Sequence, residues 1–158
     1  MIRSVKEKEL SACADVIKQS FLPVAKEFNI TKENSPNYVA FSVNTEKLKK
    51  QYLGGRKMYV YEENEHIIGY FSLELSDNEC EINNLCVLPE YQHKGIGKEL
   101  LNYAVLSAKQ YNISKIKLSI VEENTVLKNW YSSFGFVHTH RKKYDFFSFT
   151  CGYMELIL

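Results

Sequence analysis

Glu81-Ile82-Asn83-Asn84-Leu85-Cys86-Val87-Leu88-Pro89-Glu90-Tyr91-Gln92-His93-Lys94-Gly95-Ile96-Gly97-Lys98-Glu99-Leu100-Leu101 reads as a strand, a sharp turn and a helix entered through two glycines. Asn83, Leu85 and Val87 alternate with Ile82, Asn84 and Cys86, and Pro89, lacking an N–H, ends the ladder near Leu88. Ile96, Leu100, Leu101, Ala104 and Ala108 then recur at helical spacing. The first turn of a helix leaves backbone N–H groups unpaired and carries partial positive charge, so a glycine-bearing turn placed there suits phosphate oxygens. A pyrophosphate is the expected ligand.

Two familiar phosphate loops do not fit. A Walker loop needs Ser or Thr after its Gly-Lys, and Glu99 follows Gly97-Lys98; a dinucleotide fingerprint needs a small third residue where Leu100 stands. Gln92, Gly95 and Gly97 do meet the pattern Gln or Arg, two residues, Gly, one residue, Gly or Ala. In this the turn resembles the pyrophosphate turn of the GNAT acetyltransferase superfamily.

With 158 residues the chain suits one domain, 1–158, with a core that needs no covalent staples. Hydrophobic residues at 45% and charged residues at 25% are ordinary for a globular protein, and a net charge of +1 gives no global reason to expect nucleic acid. Cys13, Cys80, Cys86 and Cys151 form no Cys-x-x-Cys pair, which points to reduced, buried thiols in a cytoplasmic protein. Nothing resembles a signal peptide or a membrane span, so no membrane partner is expected.

Ile2 to Ser4 is a strand candidate, and Ser4-Val5-Lys6-Glu7 has the form of a capping box opening a helix expected to run to about Ser20. From Phe21 to Asn44 periodicity is lost, although aromatic residues are too frequent for a solvated linker: a packed, partly helical excursion. Thr45 to Leu53 reads as a helix stopped by Gly54-Gly55. Met58 to Glu62, Ile67 to Leu75 and Cys80 to Val87 form an antiparallel meander. The glycine helix reaches Tyr111, Lys115 to Val121 is a strand paired in parallel, Asn124 caps a helix, and Phe136 to Lys142 and Phe149 to Leu158 are two final strands.

Asn124, Tyr131, Gly135 and Phe136 match a second GNAT region: an Asn after the fifth strand, a Tyr seven residues on, and a Gly-Phe beyond it. Leu127 departs from the pattern, where a small Ala is common. The resemblance spans the chain. It implies an α+β fold in α/β/α layers, with a mixed, mostly antiparallel sheet of six to seven strands, the fourth and fifth splayed, and about four flanking helices.

The resemblance also implies an N-acetyltransferase that moves the acetyl group of acetyl-CoA to a primary amine of a small molecule or peptide in a ternary complex. The alternatives are an acyl-CoA-binding or sensing module without transfer, and a structural protein reusing the fold. The backbone of Leu85 and Val87 would meet the pantetheine amides, with the Leu85 N–H also facing the thioester oxygen. N–H groups of His93, Lys94, Gly95, Gly97 and Lys98 would hold the pyrophosphate, with Gln92 shaping the turn and Asn124 either touching the cofactor or only capping its helix. Lys98 reads equally as a surface lysine. Tyr131 would protonate the departing thiolate, and Glu81 would take the amine proton, with Glu122, Glu123 or water in reserve. The acceptor's determinants are expected in the Phe21 to Asn44 excursion and the Tyr144 to Phe149 loop, where Asp145 either pairs with a cationic acceptor or is a loop residue. His138 and His140 share a strand face with no third ligand, so no metal is expected. The protein is expected as a monomer or homodimer.

Overall fold

The sheet explains why both faces of the chain's strands are apolar. In a computed structural model describing residues 1–158, seven strands pair in the order β1-β2-β3-β4-β5-β7-β6. They are β1 (Ile2–Ser4), β2 (Lys57–Glu63), β3 (His66–Ser76), β4 (Glu79–Val87), β5 (Lys115–Val121), β6 (Val137–Lys143) and β7 (Thr150–Ile157). All neighbours are antiparallel except β4 and β5. Helices α1 (Leu10–Glu27), α2 (Val39–Ser42) and α3 (Thr45–Leu53) cover one face, and α4 (Ile96–Gln110) and α5 (Thr125–Ser133) the other.

Alternation along the strands supplies both cores. Phe71, Leu73 and Ile82 pack against Leu100, Leu101, Ala104 and Ala108 of α4, while Val60, Tyr70 and Cys86 pack against Leu10, Cys13 and Ile17 of α1. The α4 side is close enough that a Cβ on Gly69 would come within 3.0 Å of Leu100. All four cysteines are free and buried.

Three expectations change at this level. The box at the first helix is formed two residues later than Ser4 and Glu7 suggest: the Lys6 N–H donates to the Glu9 carboxylate at 2.9 Å, in a short 3-10 turn over Glu7–Glu9. Glu9 is held there by Arg3, at 2.6 and 3.0 Å. The helix after it does not stop near Ser20 but runs through Pro23 to Glu27. Phe21, Val24, Ala25 and Phe28 join a third apolar cluster with Ile30, Tyr38, Ala40 and Phe149, and that burial offsets the hydrogen bond Pro23 cannot make. Finally, the register of β6 shifts between His138 and His140, so the two histidines do not act as a simple same-face pair.

The decisive local feature lies in β4. Tyr70 pairs with Cys86 and Ser72 with Asn83, so β4 carries one residue more than β3 between these points. The extra residue is a bulge, and Asn84 adopts φ 56, the left-handed region that Asn tolerates better than most side chains. Parallel pairing with β5 covers only Glu79↔Lys115, Cys80↔Ile116 and Glu81↔Lys117. Beyond Glu81 the two strands diverge, as the resemblance implied, and leave an opening through the sheet.

Candidate functional site

The opening between β4 and β5 is a cavity of about 300 Å³. Ile82, Asn83, Asn84 and Leu85 form one wall and Leu118, Ser119, Ile120 and Val121 the other, with Asn124, Leu127 and Tyr131 of the α5 segment behind. Residues of the Phe21 to Asn44 excursion and the loop before β7 form its roof: Phe21, Val24, Asn37, Tyr38, Val39, Ser42, Phe147 and Phe149. The roof is pinned. The buried Ser35 hydroxyl accepts the Ser148 N–H at 2.9 Å and lies 3.1 Å from the Ser148 hydroxyl, while Tyr38 meets Phe149 edge to face at 5.5 Å.

The glycine turn joins the end of β4 to α4 and lies outside the cavity wall. Gln92 donates from Nε2 to the Val87 carbonyl at 3.0 Å, tying the turn to the end of β4. His93 has φ 63 and Gly95 φ 84, and a Cβ on Gly95 would meet nothing within 4 Å. Glycine is therefore needed at 95 for its backbone angle and not for space. From His93 through Lys98 no backbone N–H finds an acceptor in the protein; the first satisfied one is Glu99, bonded to the Gly95 carbonyl at 3.1 Å. Such a run of unpaired donors on a helix's first turn is an anion cradle. Lys94 and Lys98 are exposed beside it, and the Lys94 ammonium lies 5.5 Å from the Tyr91 ring centre.

The two sequence motifs touch. Trp130 lies over Gly97, where a Cβ would stand 3.5 Å from its ring. The next residue, Tyr131, packs edge to face on Trp130 and Phe136, is 5% exposed, and lines the cavity. Its hydroxyl makes no hydrogen bond within the protein, and burial pushes its pKa well above the usual phenol range, so it stays protonated. Asn124 caps α5 by accepting the Leu127 N–H at 3.1 Å and also lines the cavity, leaving its amide nitrogen free.

Glu81 stands where the β4–β5 pairing ends, half-buried, and is not itself part of the cavity wall. The amide of Asn83, two residues on and in the wall, lies 3.2 Å from its carboxylate and 3.3 Å from the Arg56 guanidinium. Burial, then the like charge of Glu74 directly across the strand pair, raises the pKa of Glu81. The reserve acids are engaged elsewhere. Glu122 bonds Lys128 and His138, and these contacts outweigh its burial and lower its pKa; Glu123 accepts the Thr150 N–H. Asp145 is exposed and outside the cavity wall, as is His93, and Leu85 is in the wall whereas Val87 lies just beyond it. No group of three or more metal-ligating side chains is present.

The roof comes from the two stretches expected to carry the acceptor determinants, the Phe21 to Asn44 excursion and the Tyr144 to Phe149 loop, although Tyr38, Val39 and Phe147 carry no motif of their own. Their aromatic and apolar density in a stretch without periodicity was the only signal.

Three comparisons bear on this arrangement. The sequence model described as the acetyltransferase (GNAT) domain matches residues 54–138. An uncharacterized N-acetyltransferase in the pepI 3' region of Lactobacillus delbrueckii subsp. lactis is 27% identical over 147 residues, 85% of this chain and 82% of that protein. The spermidine N(1)-acetyltransferase of Thermoplasma acidophilum is 36% identical over 70 residues, 44% of each. Among solved structures, the PaiA N-acetyltransferase of the same organism, crystallised with coenzyme A, superposes over 100% of this chain and 98% of its own with a TM-score of 0.84 at 22% identity.

Proposed function

The chain belongs to the GNAT acetyltransferase family and is an acyltransferase, and from that premise we propose that it transfers the acetyl group of acetyl-CoA to a primary amine by direct attack in a ternary complex. The observation that carries the proposal is the joint presence of an unsatisfied N–H cradle and of a strand opening lined by a buried phenol, the cradle and the phenol linked through Trp130. Relatives named as N-acetyltransferases and a structural neighbour crystallised with coenzyme A support transfer to nitrogen and the identity of the donor.

Acetyl-CoA would supply the acetyl group as a thioester, activated toward amines. The N–H groups of His93 to Lys98 bind its diphosphate, and Gln92 keeps their turn in place through Val87. The β4 edge beyond Glu81, freed by the Asn84 bulge, offers main-chain partners to the amides of the arm. The Leu85 N–H faces the reacting carbonyl oxygen, where a fixed donor to growing negative charge is worth roughly 2–4 kcal/mol of barrier.

The amine approaches from the roofed side in its neutral form. As the new C–N bond forms and the C–S bond breaks, the nitrogen gives up one proton and the sulfur gains one. Glu81 receives the first through a bridging water; its raised pKa brings it nearer the operating pH, where a base is most effective. Tyr131 donates the second. Its elevated pKa keeps the phenol loaded with a proton until negative charge develops on the sulfur beside it.

The test is thiol release from acetyl-CoA in the presence of a broad panel of amines and peptides, with product mass increased by one acetyl group. Transfer predicts amine-dependent release. Stabilisation by acetyl-CoA without release on any amine would leave a binding module instead.

A further inference from the structure

The wall of the cavity has a property that the transfer reading does not require. Its twenty lining residues are fourteen hydrophobic side chains together with Asn37, Ser42, Asn83, Asn84, Ser119 and Asn124, and not one is charged. Of the carboxylates close by in the chain, Glu122 is ion-paired, Glu123 holds the start of β7 and Asp145 faces solvent, which leaves Glu81 alone, beside Asn83 and just outside the wall. The roof facing the acceptor side is built of Phe21, Tyr38, Phe147 and Phe149. It is held shut by the Ser35–Ser148 contact, so this surface exists before any ligand arrives.

A molecule with several ammonium groups would lose hydration here and find one carboxylate, Glu81 at the edge of the wall, for all of them. A single amine on an apolar body loses little: its ring or branched chain is buried against the aromatic roof, and its one nitrogen, entering neutral, finds Asn and Ser partners.

Resting on the transfer reading above, we propose that the acceptor is an apolar monoamine, one primary amine on a single aromatic ring or branched aliphatic body, and not a polyamine or a charged peptide terminus. The cavity must also admit the acetyl end of the donor, which limits the acceptor's body to about one ring.

The experiment compares kcat/KM for 2-phenylethylamine and 3-methylbutylamine with that for spermidine and an alanine-initiated peptide, at saturating acetyl-CoA. The two apolar amines should exceed the other two by at least tenfold; equal or better turnover of spermidine or the peptide overturns the proposal. Binding of the same four compounds to the protein saturated with coenzyme A, read by calorimetry, separates selectivity from catalysis. If no amine is acetylated yet the apolar pair binds preferentially, the transfer reading fails while the acceptor class stands. Binding of spermidine in preference to the apolar pair overturns the acceptor class.

Ser119→Asp probes the cause, because Ser119 lines the cavity at a solvent-exposed position where a carboxylate is tolerated. It should raise spermidine relative to 2-phenylethylamine by at least tenfold. An unchanged ratio would overturn the claim that missing charge sets the preference.

Discussion

Replacing Gly95 by Ala isolates the backbone geometry of the anion cradle. At φ 84 an L side chain is strained, yet the added Cβ meets no atom within 4 Å, so the cost is conformational alone. That cost is about 1–2 kcal/mol. For a chain of this size it corresponds to a fall in Tm of about 2–8 °C. The turn can shed the strain only by rotating, and the unpaired N–H groups between His93 and Lys98 rotate with it. One hydrogen bond to a charged oxygen is worth about 1.5–3 kcal/mol, so losing a single contact weakens acetyl-CoA by about 10–100-fold. Thermal denaturation without ligand and calorimetric titration with acetyl-CoA measure the two effects separately. A lowered Tm with affinity changed less than twofold would refute the assignment of diphosphate binding to this turn. Gly97→Ala is the control: its Cβ would stand 3.5 Å from Trp130, an ordinary contact, and it should lower Tm little.

Tyr131→Phe removes a hydroxyl that has no partner in the protein, so stability at neutral pH should hold or rise slightly, while kcat falls about 100-fold with acetyl-CoA affinity unchanged; steady-state kinetics beside a melting curve will tell. Glu81→Gln should remove the acid limb of the kcat/KM profile, because the carboxylate is the active form and activity is lost as pH falls through its raised pKa. The same raised pKa means that ionised Glu81 disfavours the fold, so its contribution is favourable below the unfolded carboxyl pKa and lost as pH rises through the folded one. Glu81→Gln should thus melt no lower than the parent at neutral pH. At the other end of the sheet, the Arg3 guanidinium holds Glu9 down to about 2, a stabilisation present above the ordinary carboxyl range and lost as pH falls from there toward 2. Glu9→Gln should cost about 1–2 kcal/mol at neutral pH and flatten the acid denaturation curve.

Much of the fold was legible because its signals are local. Pro89 after an alternating run, Gly95 and Gly97 opening an apolar helix, and Asn124 before Leu127 each specify a boundary by their own chemistry, and each stands where expected. The misreadings are tertiary. Pro23 is a local breaker, and only the cluster around Ile30 and Phe149 keeps its helix intact. Ser4 and Glu7 have the spacing of a box, but Arg3 draws Glu9 into that role instead. The Asn84 bulge left no trace in the alternation of β4, since one extra residue is visible only against the register of β3. The candidate site divides in the same way. The cradle is contiguous in sequence and could be read directly, whereas the acceptor side is assembled from segments as far apart as Ser35 and Ser148.

An amide-resolved NMR titration with acetyl-CoA tests the central claim most directly. The account predicts that the N–H signals of His93 to Lys98 and of Leu85 move together at one saturating concentration, while those of β1 and β6 stay in place. Shifts confined to other elements, with the His93 to Lys98 signals unmoved, would contradict it.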